Sequence, residues 1–128
     1  MSGPNRTVTI GRVLSALAIL FLTFDVAIKL VQLPLVGETM AQLGYERDLG
    51  LTIGIVELVC LVLYIVPRTA MLGAILWTAV FGGAIATHIR VDSPLFSHVL
   101  FGVYLGLLVW GGLYLRNPRV RELLPVVR

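Results

Sequence analysis

The stretch LGLTIGIVELVCLVLYIVPRTAMLGAILWTAVFGGAIATHI, residues 49–89, contains two apolar runs separated by three residues. The runs are Leu49–Val66 and Ala70–Ile89, and the intervening Pro-Arg-Thr is typical of a tight turn because proline ends a helix. Each run is close to the roughly 20 residues that cross a hydrocarbon layer about 30 Å thick. The stretch therefore predicts a helical hairpin that crosses a membrane twice.

Two further apolar runs flank this hairpin, at Ile10–Val31 and Leu95–Leu115. The 128 residues are 58% hydrophobic and only 13% charged, whereas a soluble domain has about 25% charged residues. Four such runs in so short a chain leave nothing that could bury them in water. We predict an all-α integral membrane four-helix bundle that forms a single transmembrane domain over residues 1–128.

One connection is long, from Gln32 to Asp48, and it contains a further predicted element. Residues 36–43 fit a short amphipathic helix that Gly44 ends, lying on the membrane surface as a lid over the bundle. The first apolar run lacks a small-residue cleavage site, and Asp25 and Lys29 follow where one would be expected. It is therefore expected to be a retained helix and not a signal peptide.

The arginines predict the orientation of the bundle, because cytoplasmic segments of membrane proteins are enriched in basic residues. With both termini on one side, that side holds seven of the ten basic residues and the other holds three. Both termini are thus expected to be cytoplasmic. The small net charge of +3, concentrated at the chain ends, argues against nucleic-acid binding. The seven basic residues on the side of the termini are Arg6, Arg12, Arg68, Arg116, Arg119, Arg121 and Arg128.

Six polar residues from all four predicted helices are expected to form one layer near the outer face, with Arg90 directly after the third apolar run. Asp25 lies roughly 9 Å below the end of the first helix and Glu57 roughly 12 Å into the second. Charges at such depth cost several kcal/mol when unpaired, so they are expected to point inward and find partners. The six, which we take as candidate ligand-binding residues, are Asp25, Lys29, Glu57, His88, Arg90 and His98.

Asp25 and Lys29 are spaced i,i+4 with the acid first, which favours an internal ion pair. Glu57 has no partner in its own helix, and Lys29, a histidine, Arg90 or protonation could each satisfy it. Arg90 could instead extend to the lipid headgroups. Two interpretations stay open: a pocket that binds a ligand or moves a proton, and a structural network that fixes the helix register.

Other site chemistries find little support in the sequence. Glu57, His88 and His98 could be drawn as metal ligands, but their spacing matches no known motif, so no metal is predicted. The single cysteine, Cys60, excludes an internal disulfide and has no basic neighbour that would activate it as a nucleophile. Trp77, in the middle of its run, is expected to be ordinary packing.

Small residues in the last two runs indicate close helix packing. Gly102-xxx-Gly106 and Gly82-xxx-Ala86 allow two backbones to approach, inside the bundle by preference and in a homodimer as the alternative. Tyr64 is expected at the cytoplasmic interface, where aromatic residues gather in membrane proteins.

With these motifs placed, the chain resembles the DoxX-like family of small bacterial membrane proteins. The resemblance implies a four-helix bundle in the bacterial cytoplasmic membrane. Some members of the wider DoxX group are subunits of quinone-reducing or thiol-linked redox complexes, but the lack of paired cysteines argues against thiol chemistry here. The matching segments are Lys29-Leu30, Leu43-Gly44-Tyr45, Gly54–Leu58, Tyr64–Thr69, Gly82–His88 and Asp92–His98.

The functional hypothesis is a polar pocket near the outer face for a small amphiphile, quinone- or lipid-like. Glu57, His88 and His98 would exchange protons as acid/base groups, and no cofactor other than a quinone is indicated. One alternative is a small acid/base enzyme of isomerase or cyclase type. Another is a non-catalytic subunit that packs against a redox partner. The lipid bilayer is the partner common to all three.

Overall fold

The computed structural model of the chain describes residues 3–127, which leaves Arg128 of the predicted cytoplasmic cluster outside the described residues. Every regular element in this part of the chain is helical. A 3₁₀ turn at Pro67–Thr69 joins the third and fourth helices, and a π-helical segment at Leu95–Val99 precedes the fifth. The helices are α1 (Gly3–Leu30), α2 (Pro34–Gln42), α3 (Leu49–Ile65), α4 (Ala70–Arg90), α5 (Phe101–Arg116) and α6 (Pro118–Leu123).

Four helices form a ring in which each contacts two others. α1 packs against α3 and α5, and α4 packs against the same two helices. Short connections make successive helices antiparallel, so the bundle has two distinct ends. We call the end beneath α2, where α1 and α4 finish and α3 and α5 begin, the α2 end. The opposite end, with the 3₁₀ turn and α6, is the terminal end.

The exterior of the ring is strongly apolar. Leu20, Phe24 and Leu107 each expose about two thirds of their surface, while Trp77 and Val109 are fully buried. Within residues 3–127, three helical segments are long and apolar enough to cross a membrane: Arg6–Leu30, Pro67–Arg90 and Leu95–Arg116. α3 is apolar but has only 17 residues, or about 25 Å, at the lower limit for a span. Length and composition thus support three of the four predicted spans outright, and α3 is shorter than predicted.

The structure changes several predicted boundaries. α1 begins at Gly3 and not near residue 10, because its polar first turns are helical without being apolar. The surface helix begins at Pro34, a favourable first helical residue, and not at residue 36. The fourth run is divided by the π-helical segment, so regular α-helix begins only at Phe101. α6 was not predicted; the Asn117 side chain caps it by accepting the Arg119 amide at 3.0 Å.

Glycines bring two pairs of helices together at the terminal end. A Cβ on Gly112 of α5 would lie 2.6 Å from the Ser15 nitrogen of α1, and a Cβ on Gly11 would lie 2.7 Å from the Arg116 nitrogen. Gly73 of α4 lies equally close to the Tyr64 backbone of α3. Side chains at these positions would force the helices apart. The seams α1/α5 and α3/α4 are therefore tight at this end.

Different pairs of helices pack closely at the α2 end. A Cβ on Gly54 of α3 would lie 2.8 Å from the Lys29 Cβ of α1, and one on Gly102 of α5 would lie 3.2 Å from the Phe81 carbonyl of α4. The bundle thus divides at this end into the pairs α1/α3 and α4/α5. The interfaces α1/α5 and α3/α4 are close-packed at the terminal end. At the α2 end they border a cavity.

The two predicted small-residue motifs have different outcomes. Gly102 and Gly106 both face Phe81 or Ile85 inside the bundle, which confirms packing at that motif. Gly82 is exposed, and a Cβ there would meet no atom within 4 Å. Packing of Gly82-xxx-Ala86 inside the bundle was therefore a wrong prediction, because helical spacing alone does not show which face of α4 turns inward.

Candidate functional site

A cavity of about 840 Å³ lies between the two helix pairs at the α2 end. Residues from α1 to α5 line it. Trp77 and Phe81, whose rings stack with centroids 5.3 Å apart, lie at its deep side. Met40 and Leu43, buried where α2 ends, lie at the opposite side and form its roof. The predicted lid helix thus covers the cavity in the structure.

The charged wall of the cavity consists of one ammonium between two carboxylates. Lys29 Nζ donates to Asp25 Oδ2 at 2.8 Å and to Glu57 Oε1 at 2.7 Å. The side chains of Lys29 and Glu57 are 14% and 5% exposed, whereas that of Asp25 is 41% exposed. This confirms the i,i+4 pair and identifies Lys29, among the four alternatives, as the partner of Glu57. Because Gly54 lacks a side chain, α3 approaches α1 closely enough for this contact.

The two histidines line the same cavity but do not contact the charged group. His88 Nδ1 shares a hydrogen bond with Ser93 Oγ at 2.8 Å, and His98 Nδ1 shares one with Ser97 Oγ at 2.7 Å. Their ring centroids lie 5.6 Å apart in an edge-to-face arrangement. Within residues 3–127 neither Nε2 has a hydrogen-bond partner. Each imidazole is thus oriented through Nδ1 and keeps one nitrogen for another group.

Arg90 lies at the roof and is not among the residues that line the cavity. Its Nη2 donates to the Leu43 carbonyl, and its guanidinium lies 5.9 Å from the centre of the Tyr45 ring. Gly44, with φ of +85°, makes the turn that brings this carbonyl toward α4. The Tyr45 hydroxyl adds a hydrogen bond of 3.0 Å to Thr87 Oγ1. Arg90 therefore connects the α2–α3 loop to α4 through these contacts and does not pair with Glu57.

A second polar cluster, not predicted from the sequence, lies at the terminal end. The Ser15 and Tyr64 hydroxyls are 2.9 Å apart, Tyr64 donates to the Val109 carbonyl at 2.7 Å, and Arg116 Nε donates to Ser15 Oγ at 3.0 Å. Tyr64, near the end of α3, is fully buried and points into the bundle, so it is not one of the exposed aromatic residues that a membrane interface gathers. A serine and a tyrosine inside apolar runs were the available signal, because buried hydroxyls need partners.

Metal-binding geometry is not evident in the described part of the chain. No three His, Cys, Asp or Glu side chains there are grouped as metal ligands would be. Cys60 is buried and free. Trp77, predicted as packing, is fully buried and borders the cavity, and its Nε1 has no partner among the described residues. The polar groups that border the cavity are therefore charged side chains and hydrogen-bonding side chains.

Apolar helices long enough to cross a bilayer indicate a membrane protein. The chain belongs to the DoxX-like family, whose model matches residues 13–112. The match runs from α1 into α5 and includes all six candidate residues. No curated protein and no solved structure matched the chain.

Proposed function

We propose that this chain is a multi-pass protein of the bacterial cytoplasmic membrane whose cavity binds a small amphiphile, quinone- or lipid-like. The observation that carries the proposal is the cavity itself. Its volume of about 840 Å³ falls within the roughly 300–1,000 Å³ of ligand pockets, and its polar groups gather on few of its otherwise apolar walls. An amphiphile matches such a surface, because its head group and its apolar part need different walls.

The charges of the cavity wall limit which ligand head groups can bind. Two carboxylates share one ammonium, so the three side chains together carry one negative charge when both carboxylates are ionised. An anionic head would add a further negative charge in a region of low dielectric, which is costly. A neutral head that forms hydrogen bonds fits better. Glu57, His88 and His98 are the groups that we propose exchange protons with it, while Asp25 and Lys29 shape the wall.

The proposed orientation places the terminal end in the cytoplasm. The basic residues of that end, among them Arg12, Arg68 and Arg116, support it. The cavity then opens toward the outer face, with α2 lying on the membrane surface. The whole chain acts as a single domain in this proposal, because all four long helices contribute to the cavity.

Acid/base catalysis on the bound amphiphile is the second candidate. The free Nε2 atoms of His88 and His98 favour it, because a general acid or base must reach the ligand directly. Turnover by the purified protein, lost in His88→Gln and His98→Gln, would distinguish catalysis from binding alone.

The test of the proposal is direct binding of decylubiquinone to the purified protein in nanodiscs. We expect Glu57→Gln and His98→Ala each to weaken binding at least tenfold, which corresponds to about 1.4 kcal/mol. Glu122→Gln is the matched control, because Glu122 is exposed on α6 at the other end of the bundle. Thermal melting of each variant checks that it is folded. If Glu57→Gln and His98→Ala bind like the parent protein, the proposal is wrong.

A further inference from the structure

The cavity is continuous with the exterior of the protein between α3 and α4. Thr52 and Val56 of α3 and Ala79 and Gly83 of α4 line the cavity and are also exposed. The cavity is not enclosed, and these four exposed residues border it at the interface between α3 and α4. This opening lies on the side of the bundle, within the length of the two helices, and not under α2.

Gly83 gives the opening its width. A Cβ built on Gly83 meets no atom within 4 Å, so the space beside this backbone is empty. The opening ends toward the roof at the hydrogen bond between Tyr45 and Thr87. Toward the terminal end it closes where Gly73 packs against Tyr64. The opening is thus a window with a fixed upper and lower edge.

The other seam at this end, between α1 and α5, has bulkier residues. Phe21, Phe24 and Phe101 line the cavity there and are exposed. The cavity thus also borders the exterior at this interface, but a phenylalanine side chain is much larger than the alanine and glycine that α4 places at the α3/α4 opening. The surface around the α3/α4 window is apolar, with Ile55, Val59 and Ile75 all about half exposed, as expected for a surface that faces lipid tails.

We propose that the α3/α4 window is a tail subsite. The head group of the ligand lies at the wall formed by Lys29, Asp25 and Glu57, and its apolar tail leaves the cavity past Gly83 into the bilayer. The ligand is therefore a membrane-dissolved amphiphile with a tail too long for the cavity, taken up sideways from the lipid. This inference rests on the proposed function and adds the ligand class and its path.

Two neighbouring glycines provide a matched test. Gly83→Phe places a ring in the window, whereas Gly82→Phe places the same ring on an exposed face where a Cβ also meets nothing within 4 Å and which does not line the cavity. Both substitutions replace a helical glycine in α4. The probes are decylubiquinone and ubiquinone-0, which have the same head group with and without a long tail.

We expect Gly83→Phe to weaken binding of decylubiquinone at least tenfold and to leave binding of ubiquinone-0 within twofold. Gly82→Phe should change neither. Equal binding of decylubiquinone to the two variants, or an equal loss of both probes in Gly83→Phe, would overturn the tail subsite. If the parent protein binds neither probe, the proposed function itself fails.

A measurement on the unaltered protein covers the case in which Gly83→Phe does not fold. A ubiquinone analogue with a diazirine in its tail is photolysed in nanodiscs, and the labelled peptides are identified by mass spectrometry. Label on residues 49–66 and 70–90 supports the subsite. Label concentrated on α1 and α5 would place the tail in the other seam and contradict it.

Discussion

The two ends of the bundle each hold a polar cluster built from different helices, yet their surroundings differ. At the terminal end, Ser15, Tyr64 and Arg116 satisfy one another where α1 and α5 meet backbone to backbone at Gly11 and Gly112. At the α2 end, Asp25, Lys29 and Glu57 also satisfy one another, but they form the wall of a cavity.

This difference separates a structural cluster from a candidate site. Buried polar groups in a membrane protein need partners wherever they lie, so hydrogen bonding alone marks neither cluster as functional. Around the terminal cluster the helix backbones approach each other closely, at Gly11 and Gly112 between α1 and α5 and at Gly73 between α3 and α4. The charged wall borders a cavity instead. Free volume next to polar groups, more than the charges themselves, identifies the α2 end as the candidate site.

The largest effect should come from removing the cation of the charged wall. Lys29→Met leaves Glu57 buried without a counter-charge, and breaking a buried ion pair typically costs about 3–5 kcal/mol. We expect a loss of that size in the free energy of unfolding, measured by SDS titration in mixed micelles. Arg47→Met, at an exposed loop position, is the control and should change the free energy of unfolding by less than about 0.5 kcal/mol.

The double variant Lys29→Met/Glu57→Gln sharpens this prediction. It removes both charges of the buried pair, so it should recover much of the stability that Lys29→Met loses. A double variant as unstable as Lys29→Met would show that the loss comes from packing around the lysine stem. In that case the charged wall would be a structural cluster like the one at the terminal end, and the proposed difference between the two ends would be wrong.

A smaller loss is expected from adding one methyl group at the terminal end. Gly112→Ala puts a Cβ against the Ser15 nitrogen, so α1 and α5 must separate, and overpacking of this kind costs about 1–3 kcal/mol. Gly111→Ala is the matched control, because its nearest atom, Leu14 Cδ1, lies at an ordinary 3.6 Å. We expect Gly111→Ala to be neutral or slightly stabilising in the same titration. Equal stability of the two variants would contradict a close-packed α1/α5 seam.

The sequence was sufficient for the features that depend on local pattern. Apolar runs of about 20 residues predicted the long helices, and the i,i+4 spacing predicted the contact between Asp25 and Lys29. Short connections predicted which successive helices are antiparallel neighbours. These features need only the composition of one segment or the spacing of two residues.

Features that depend on how helices rotate against each other were not predictable in this way. The partner of Glu57 depends on the approach of α1 and α3 at Gly54, and the α1/α5 seam that closes the ring depends on Gly11 and Gly112. The position of Tyr64 near the end of an apolar run did not show that its hydroxyl is buried against another helix. The spread of apolar residues around each helix left the inward face undetermined, as at Gly82.

After Gly112→Ala, the next largest loss of stability is expected from removing a single hydroxyl from the terminal cluster. Tyr64→Phe deletes the bonds to Ser15 and to the Val109 carbonyl, each worth about 1 kcal/mol, so we expect a loss of about 1–2 kcal/mol. Tyr104→Phe is the control, because the Tyr104 hydroxyl makes one exposed bond to the Phe96 carbonyl. Decylubiquinone binding should be unchanged in both variants. Weakened binding in Tyr64→Phe would show that the terminal cluster is coupled to the cavity.

The smallest effect on stability is expected at the exposed member of the charged wall. Asp25 is 41% exposed and Glu57 is 5% exposed, so water already solvates the Asp25 carboxylate. Asp25→Asn should therefore change the free energy of unfolding by less than about 1 kcal/mol, as is usual for an exposed ion pair. Its effect on decylubiquinone binding should also be smaller than that of Glu57→Gln. A loss as large as in Lys29→Met would mean that all three charges form one closed network, and the wall would then be structural, like the terminal cluster.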